Sequence, residues 1–175
     1  MLLFGSGMGA RGELTTGKSY SISFADINGQ KLSTADGHIT IVVLATSADR
    51  EQARSVGDHV PDFCLGNTAY KMITVVHFVR EHLAIGRRMA TALIRHRVRD
   101  EAKRLQARYD GQKIGRDAKS DIFVVTDFDG TIASQLGQSP GATDFCVFVF
   151  GKTGELLAQW HSVPSTNELA TAVKK

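Results

Sequence analysis

Between Tyr20 and Leu32 large apolar residues alternate with polar ones: Tyr20, Ile22 and Phe24 share one strand face, and Asn28-Gly29 stands between Ile27 and Leu32. Asparagine and glycine tolerate positive φ, so this spacing predicts a short β-hairpin. The alternation then stops. Ile39 to Leu44 is a continuous, largely β-branched apolar run, the pattern of a strand buried on both faces. Thr46, Ser47 and Asp49 supply N-cap residues for a short helix over Asp49 to Val56, ahead of Pro61. Met72 to Val79 predicts a second core strand. The longest helical signal follows, Arg87 to Tyr109, where Ile94, Val98, Ala102, Leu105 and Tyr109 recur at helical spacing before Gly111 and Gly115. Ile122 to Thr126 predicts a third buried strand, and Cys146 to Phe150 with Leu156 to Trp160 predict a hairpin around Gly151 to Gly154. Ser165 and Glu168 fit a capping box that opens a C-terminal helix carrying Leu169, Ala170 and Val173. The order is hairpin, β, α, β, long α, β, ββ, α, without an internal repeat. It implies an α/β domain with a central sheet and helices on its faces.

The 175 residues, 42% hydrophobic and 22% charged, suit one folded domain, and no run approaches the ~18 apolar residues of a membrane span. Residues 1–17, with Gly5, Gly7, Gly9 and Gly12, read as a flexible leader, and 18–175 as a single domain. Met1 to Phe4 lacks the basic and apolar regions of a secretory signal. The chain as it stands therefore reads as cytoplasmic, with export left open because the N-terminus could be incomplete. Two cysteines are too few for a disulfide framework or a cysteine-based zinc site.

The net charge of +3 conceals a block. Arg80 to Lys119 holds 12 Lys and Arg against 5 Asp and Glu, while the remainder carries 9 against 13. On the long helix Arg88, Arg95 and Arg99 fall on one face, a candidate anion-binding surface, with Arg97, Arg104 and Arg108 on a neighbouring stripe. Asp100 can pair with Arg104, whereas Arg99 with Lys103 and Arg104 with Arg108 are like-charged at i,i+4. An unidentified protein or a small anionic ligand would relieve that repulsion. No aromatics interleave the arginines, so nucleic acid is the less favoured partner; a homodimer is left open.

Gly12 to Ser19 spells a P-loop, but the residues before it are too polar and glycine-rich for a strand, and those after it alternate as a strand instead of opening a helix. Asp127 to Thr131 (D-F-D-G-T), after an apolar strand, resembles motif I of the haloacid dehalogenase phosphatases. That resemblance implies a nucleophile at Asp127, an acid/base at Asp129 and a magnesium ion. Only 44 residues follow Thr131, without an acidic pair to complete the metal site. A tight turn after a strand explains the same residues.

The segment Tyr20 to Gly37, the strand Ile39 to Leu44, A-T-S-A-D-R-E-Q-A (Ala45 to Ala53) and the D-F-D-G turn before a terminal hairpin and helix together resemble the thioredoxin-like redoxin and alkyl hydroperoxide reductase group. The resemblance implies a thioredoxin-like three-layer fold: a central mixed sheet with helices on both faces, an N-terminal hairpin, and a long helix between the second and third core strands. It also implies an active site at the helix start after the first core strand, and there this chain departs from the pattern. Aligned on Ala45-Thr46, the two redox cysteines fall on Ala48 and Glu51, with Asp49 and Arg50 between them. Neither residue offers the thiolate that the family's chemistry uses. The group's cis-proline, just before the terminal hairpin, falls on Asp144 or Phe145, and Pro140 lies several residues earlier. Cys146 lies inside an apolar strand as a small hydrophobe, which leaves Cys64 as the thiol candidate for catalysis. His38, His59, His77, His82, His96 and His161 show no metal-ligand spacing.

The chain thus reads as a thioredoxin-like domain that has lost its redox pair and acts as a binding or interaction module. It would work through the degenerate site at Thr46, Ala48, Asp49, Arg50 and Glu51 or through the basic helix. No cofactor and no metal are implied. The alternatives are a redoxin-type oxidoreductase or peroxidase using Cys64, and a magnesium-dependent phosphatase using Asp127 and Asp129.

Overall fold

A computed structural model describes residues 12–79 and 84–175. The N-terminal hairpin pairs β1 (Ser23–Ala25) with β2 (Lys31–Ser33). Its turn is held by the Asp26 carboxylate, which accepts the backbone N–H groups of Asn28 and Gln30, and Gly29 takes φ +84. The main sheet contains β3 (Ile39–Ala45), β4 (Tyr70–His77), β5 (Phe123–Asp127), β6 (Cys146–Phe150) and β7 (Leu156–Trp160), in the order β5-β4-β3-β6-β7. β3, β4 and β5 run parallel, while β6 and β7 are antiparallel. β4 spans Tyr70–His77 and not Met72 to Val79 because it pairs along the whole of β3, from Ile39 opposite Tyr70 to Ala45 opposite Val76.

Helix α1 (Arg50–His59) connects β3 to β4, and α2 (Ala84–Gly111) connects β4 to β5. The two crossovers step in the same direction across the sheet. Right-handed connections therefore put both helices on one face. α4 (Thr166–Ala172) joins them there, and Val56, Leu169, Ala172 and Val173 close that core over Ile41, Val43, Val147 and Val149. The opposite core contains Ile22, Phe24, Leu32, Val42, Leu44, Ile73, Val75, Phe148 and Phe150, covered by the hairpin and by the short α3 (Thr131–Gln135). The capping box at Ser165 and Glu168 forms in full.

Gly12 to Gly17, within the segment expected as a leader, packs on the domain. Leu14 is buried in the core, and Gly17 N–H donates to the Leu156 carbonyl. Ser19 then bridges Glu155 as an extra strand-like pair. No helix follows Lys18, so the P-loop spelling lacks the N-terminus that would present N–H groups to a phosphate. Residues 1–11 and His82 lie outside the described residues.

Candidate functional site

The strand-to-helix corner after β3 is built around Asp49. Of the expected N-cap candidates Thr46, Ser47 and Asp49, it is Asp49 that occupies the N-cap position of α1, at φ −89, ψ 17, but its side chain makes no cap bond. Its carboxylate turns back to accept the Thr46 backbone N–H at 2.8 Å and the Thr46 hydroxyl at 2.7 Å. The Thr46 hydroxyl in turn accepts the Ala48 N–H at 3.3 Å. The corner is a closed Thr–Asp knot in which Ala48 contributes a methyl group. Glu51 accepts from Arg54, three residues further along α1, at 3.3 Å. Arg50 projects from the first turn without an acidic partner among the described residues.

The two cysteines are free and belong to different cores, Cys64 to the one beneath α1 and α4 and Cys146 to the opposite one. Cys64 is buried at the end of the 3-10 turn Asp62–Cys64. Desolvation pushes its thiol up to about 11, opposed by the charge of Lys174. Cys146, in β6, lies 3.2 Å from the His161 ring, and burial with the nearby Asp144 and Glu13 charges pushes it up to about 11 as well. A thiol that high is almost wholly protonated near neutral pH, which is the opposite of an activated nucleophile. Among the described residues no peptide bond is cis, Pro140 included.

Asp127 points into the fold. Its carboxylate is 1% exposed and accepts the backbone N–H groups of Ile132 at 3.1 Å and Ala133 at 2.9 Å. The buried His77 ring stands 3.0 Å from the same group through Nδ1 and 2.9 Å from the Pro140 carbonyl through Nε2. Asp127 therefore caps α3 from beneath and organises the following loop. Asp129 is exposed; the Thr131 backbone N–H, at 3.1 Å, holds its carboxyl below the usual range. No group of three or more His, Cys, Asp or Glu side chains able to hold a metal is found among the described residues.

The basic face of α2 is only partly free. Arg88 and Arg99 are exposed, whereas Arg95 donates to the Ile27 carbonyl of the hairpin turn at 2.8 Å. Arg104 does not pair with Asp100: it reaches Asp58 of α1 at 3.2 Å and Glu101 at 3.3 Å, while Asp100 faces His96 and Lys103. Arg108 bonds the Gly57 and Val60 carbonyls and Asp62. Acids and carbonyls of the α1 segment, invisible as neighbours in the sequence, thus absorb much of the repulsion along α2.

Between α2 and the sheet lies a groove of about 430 Å³, within the ~300–1,000 Å³ of small-molecule sites. On β4 the inward face (Ile73, Val75, His77) is buried, whereas Met72, Thr74 and Val76 on the α2 side are only partly buried. On α2 itself Ile94 and Tyr109 are buried, but Val98, Ala102 and Leu105 are not. The helix stands off the sheet, and Thr46, Ser47 and Arg50 are among the residues that line the gap. Periodicity reveals the apolar stripe of α2 and is silent about how closely it packs.

No family model matches the chain, and no curated protein matches it. Solved structures do. The exposed lipoprotein thioredoxin of Streptococcus pneumoniae superposes with a TM-score of 0.56 at 14% identity, over 88% of this chain and 98% of that one. This chain has a thioredoxin-like fold. A DsbF homologue from Corynebacterium diphtheriae matches 99% of this thioredoxin-like chain and 98% of its own, at 12% identity and a TM-score of 0.55. The peroxidoxin BcpB of Mycobacterium tuberculosis matches 93% and 96%, at 13% identity and a TM-score of 0.53. No helix among the described residues is long and apolar enough to cross a membrane.

Proposed function

We propose that this thioredoxin-like domain works by binding and not by thiol chemistry, with the groove beneath α2 and the degenerate corner at its mouth as the binding surface. One observation carries the reading. Where the resembling redoxins place their paired cysteines, this chain has Ala48 and Glu51 at a corner locked by the Asp49 carboxylate on Thr46. Its actual cysteines are buried, separate and held protonated. Arg50, between those two positions, puts a cation at the start of α1. The test is turnover of an insulin disulfide in the presence of dithiothreitol, and of hydrogen peroxide or an alkyl hydroperoxide with the same reductant. The wild type is expected to match a protein-free control.

A second reading, a thiol-disulfide oxidoreductase or peroxidase using Cys64, is favoured by two things. The structural neighbours are described as thioredoxins, thiol-disulfide oxidoreductases and a peroxidoxin, and Cys64 lines the groove. It requires a side chain that is 6% exposed to become both ionised and accessible. Turnover that disappears in Cys64→Ser supports this reading and removes the first.

A further inference from the structure

We infer that the groove beneath α2 takes a single-chain aliphatic carboxylate, its head between Arg50 and Arg97 and its tail running under α2; this rests on the binding-domain reading above. α1 and α2 lie side by side in the same direction, joined by a ladder with a nearly constant offset. Arg54 bonds Glu101, 47 residues on, Asp58 pairs with Arg104 and Asp62 with Arg108, each 46 residues on. One turn above the Arg54 rung the same offset brings Arg50 opposite Arg97. That rung joins two cations. Both line the groove, and neither has a hydrogen-bond or ion-pair partner among the described residues. The lower rungs latch the seam over the groove, and the top one is left for an anion to close.

The space behind those arginines selects the rest of the ligand. Its walls include Met72, Val76, Ile94, Val98 and Leu105, and on that face of β4 the polar side chains are Thr74 and Tyr70. At the far end the Tyr109 hydroxyl donates to Asp121 at 2.9 Å and accepts the Gly66 N–H at 3.0 Å, so it has little to offer a second polar group. From Arg97 to Tyr109 α2 rises about 18 Å. A cationic mouth on a long aliphatic groove fits an acyl chain with one terminal carboxylate better than a compact anion. Two guanidinium groups can share the two carboxylate oxygens.

The probe is dodecanoate, titrated by calorimetry below its micelle concentration into the full chain under reducing conditions. Saturable binding of one molecule is expected, with acetate and dodecylammonium giving none. Arg50→Gln and Arg97→Gln, both at the groove mouth and outside the packed core, should each weaken binding about tenfold. Val98→Trp, which fills the groove, should abolish it; if circular dichroism shows that variant unfolded, Val76→Phe takes its place. No saturable binding overturns the inference, as does equal binding of dodecylammonium or an affinity unchanged in both arginine variants. Thiol turnover by the wild type would instead overturn the binding-domain reading, whatever the titration gives.

Discussion

Replacing Asp127 by alanine tests whether the D-F-D-G-T segment is a structural cap or a phosphatase motif. The carboxylate is buried and accepts from two backbone N–H groups, Ile132 and Ala133, and faces the His77 ring. Hydrogen bonds to a charged group contribute about 1.5–3 kcal/mol each, and a buried donor left without its acceptor costs about 1–3 kcal/mol. Such neighbours are not additive, so Asp127→Ala should destabilise by about 4 kcal/mol, a large share of the ~5–15 kcal/mol typical of a domain. With a urea m-value of about 2 kcal/mol/M the unfolding midpoint should fall by about 2 M. Asp129→Ala removes one exposed contact to Thr131 and should stay within about 1 kcal/mol of wild type. Circular dichroism in urea on both variants gives the comparison. A catalytic carboxylate is commonly neutral or stabilising to remove, because active sites trade stability for function. An Asp127→Ala midpoint at or above that of the wild type would refute the cap.

The remaining predictions concern the thiols, one glycine and the C-terminal cap. With thiols at about 11 against an ordinary 9.0, the thiolate population is about a hundredfold below that of a free cysteine. Iodoacetamide labelling of the native chain at neutral pH should be slowed at least that much, and mass spectrometry after timed quenching reads it. Because the folded thiols ionise later than the unfolded ones, the folded state binds more protons above about pH 9, so stability should fall as the pH rises from about 9 through about 11. Gly130 holds φ +73, and an added Cβ would stand 2.6 Å from the Pro140 Cβ and 2.9 Å from its Cα. Gly130→Ala should therefore cost about 2 kcal/mol or more, combining left-handed strain with a shift of the loop, read as a lowered thermal midpoint. Glu168 is held below its usual pKa by the Ser165 backbone N–H and hydroxyl. Its contribution is present above the unfolded value of about 4.3 and lost as the pH falls through the depressed folded value. Ser165→Ala should cost about 1 kcal/mol at neutral pH and move the Glu168 titration upward in NMR.

The chain discloses its main elements where periodicity and capping agree. The β-branched run Ile39 to Leu44 lies within β3, Cys146 to Phe150 is β6, and Ser165 with Glu168 caps α4. α3 is missed because Thr131–Gln135 is too short for a helical period; it depends on a carboxylate presented from the end of β5. Asp49 is the N-cap residue of α1, one of the three the sequence offers, and its carbonyl accepts the Ala53 N–H, but its carboxylate turns back to Thr46 instead of capping the helix. The acids that balance α2, Asp58 and Asp62, lie 46 residues from their arginines, beyond any local pattern. Setting Ala48 and Glu51 against the redoxin cysteines rests on the sequence alignment at Ala45-Thr46. The groove is not legible in the sequence, because it comes from an incomplete approach of two apolar surfaces that each look ordinary alone.

A domain that works by binding, as proposed, shows no thiol turnover. Reduction of insulin disulfide and of peroxide by the wild-type chain, in parallel with Cys64→Ser and a protein-free control under excess dithiothreitol, measures it most directly. All three rates are expected to coincide. A wild-type rate well above the control that falls to it in Cys64→Ser would contradict the binding reading and identify Cys64 as the working thiol.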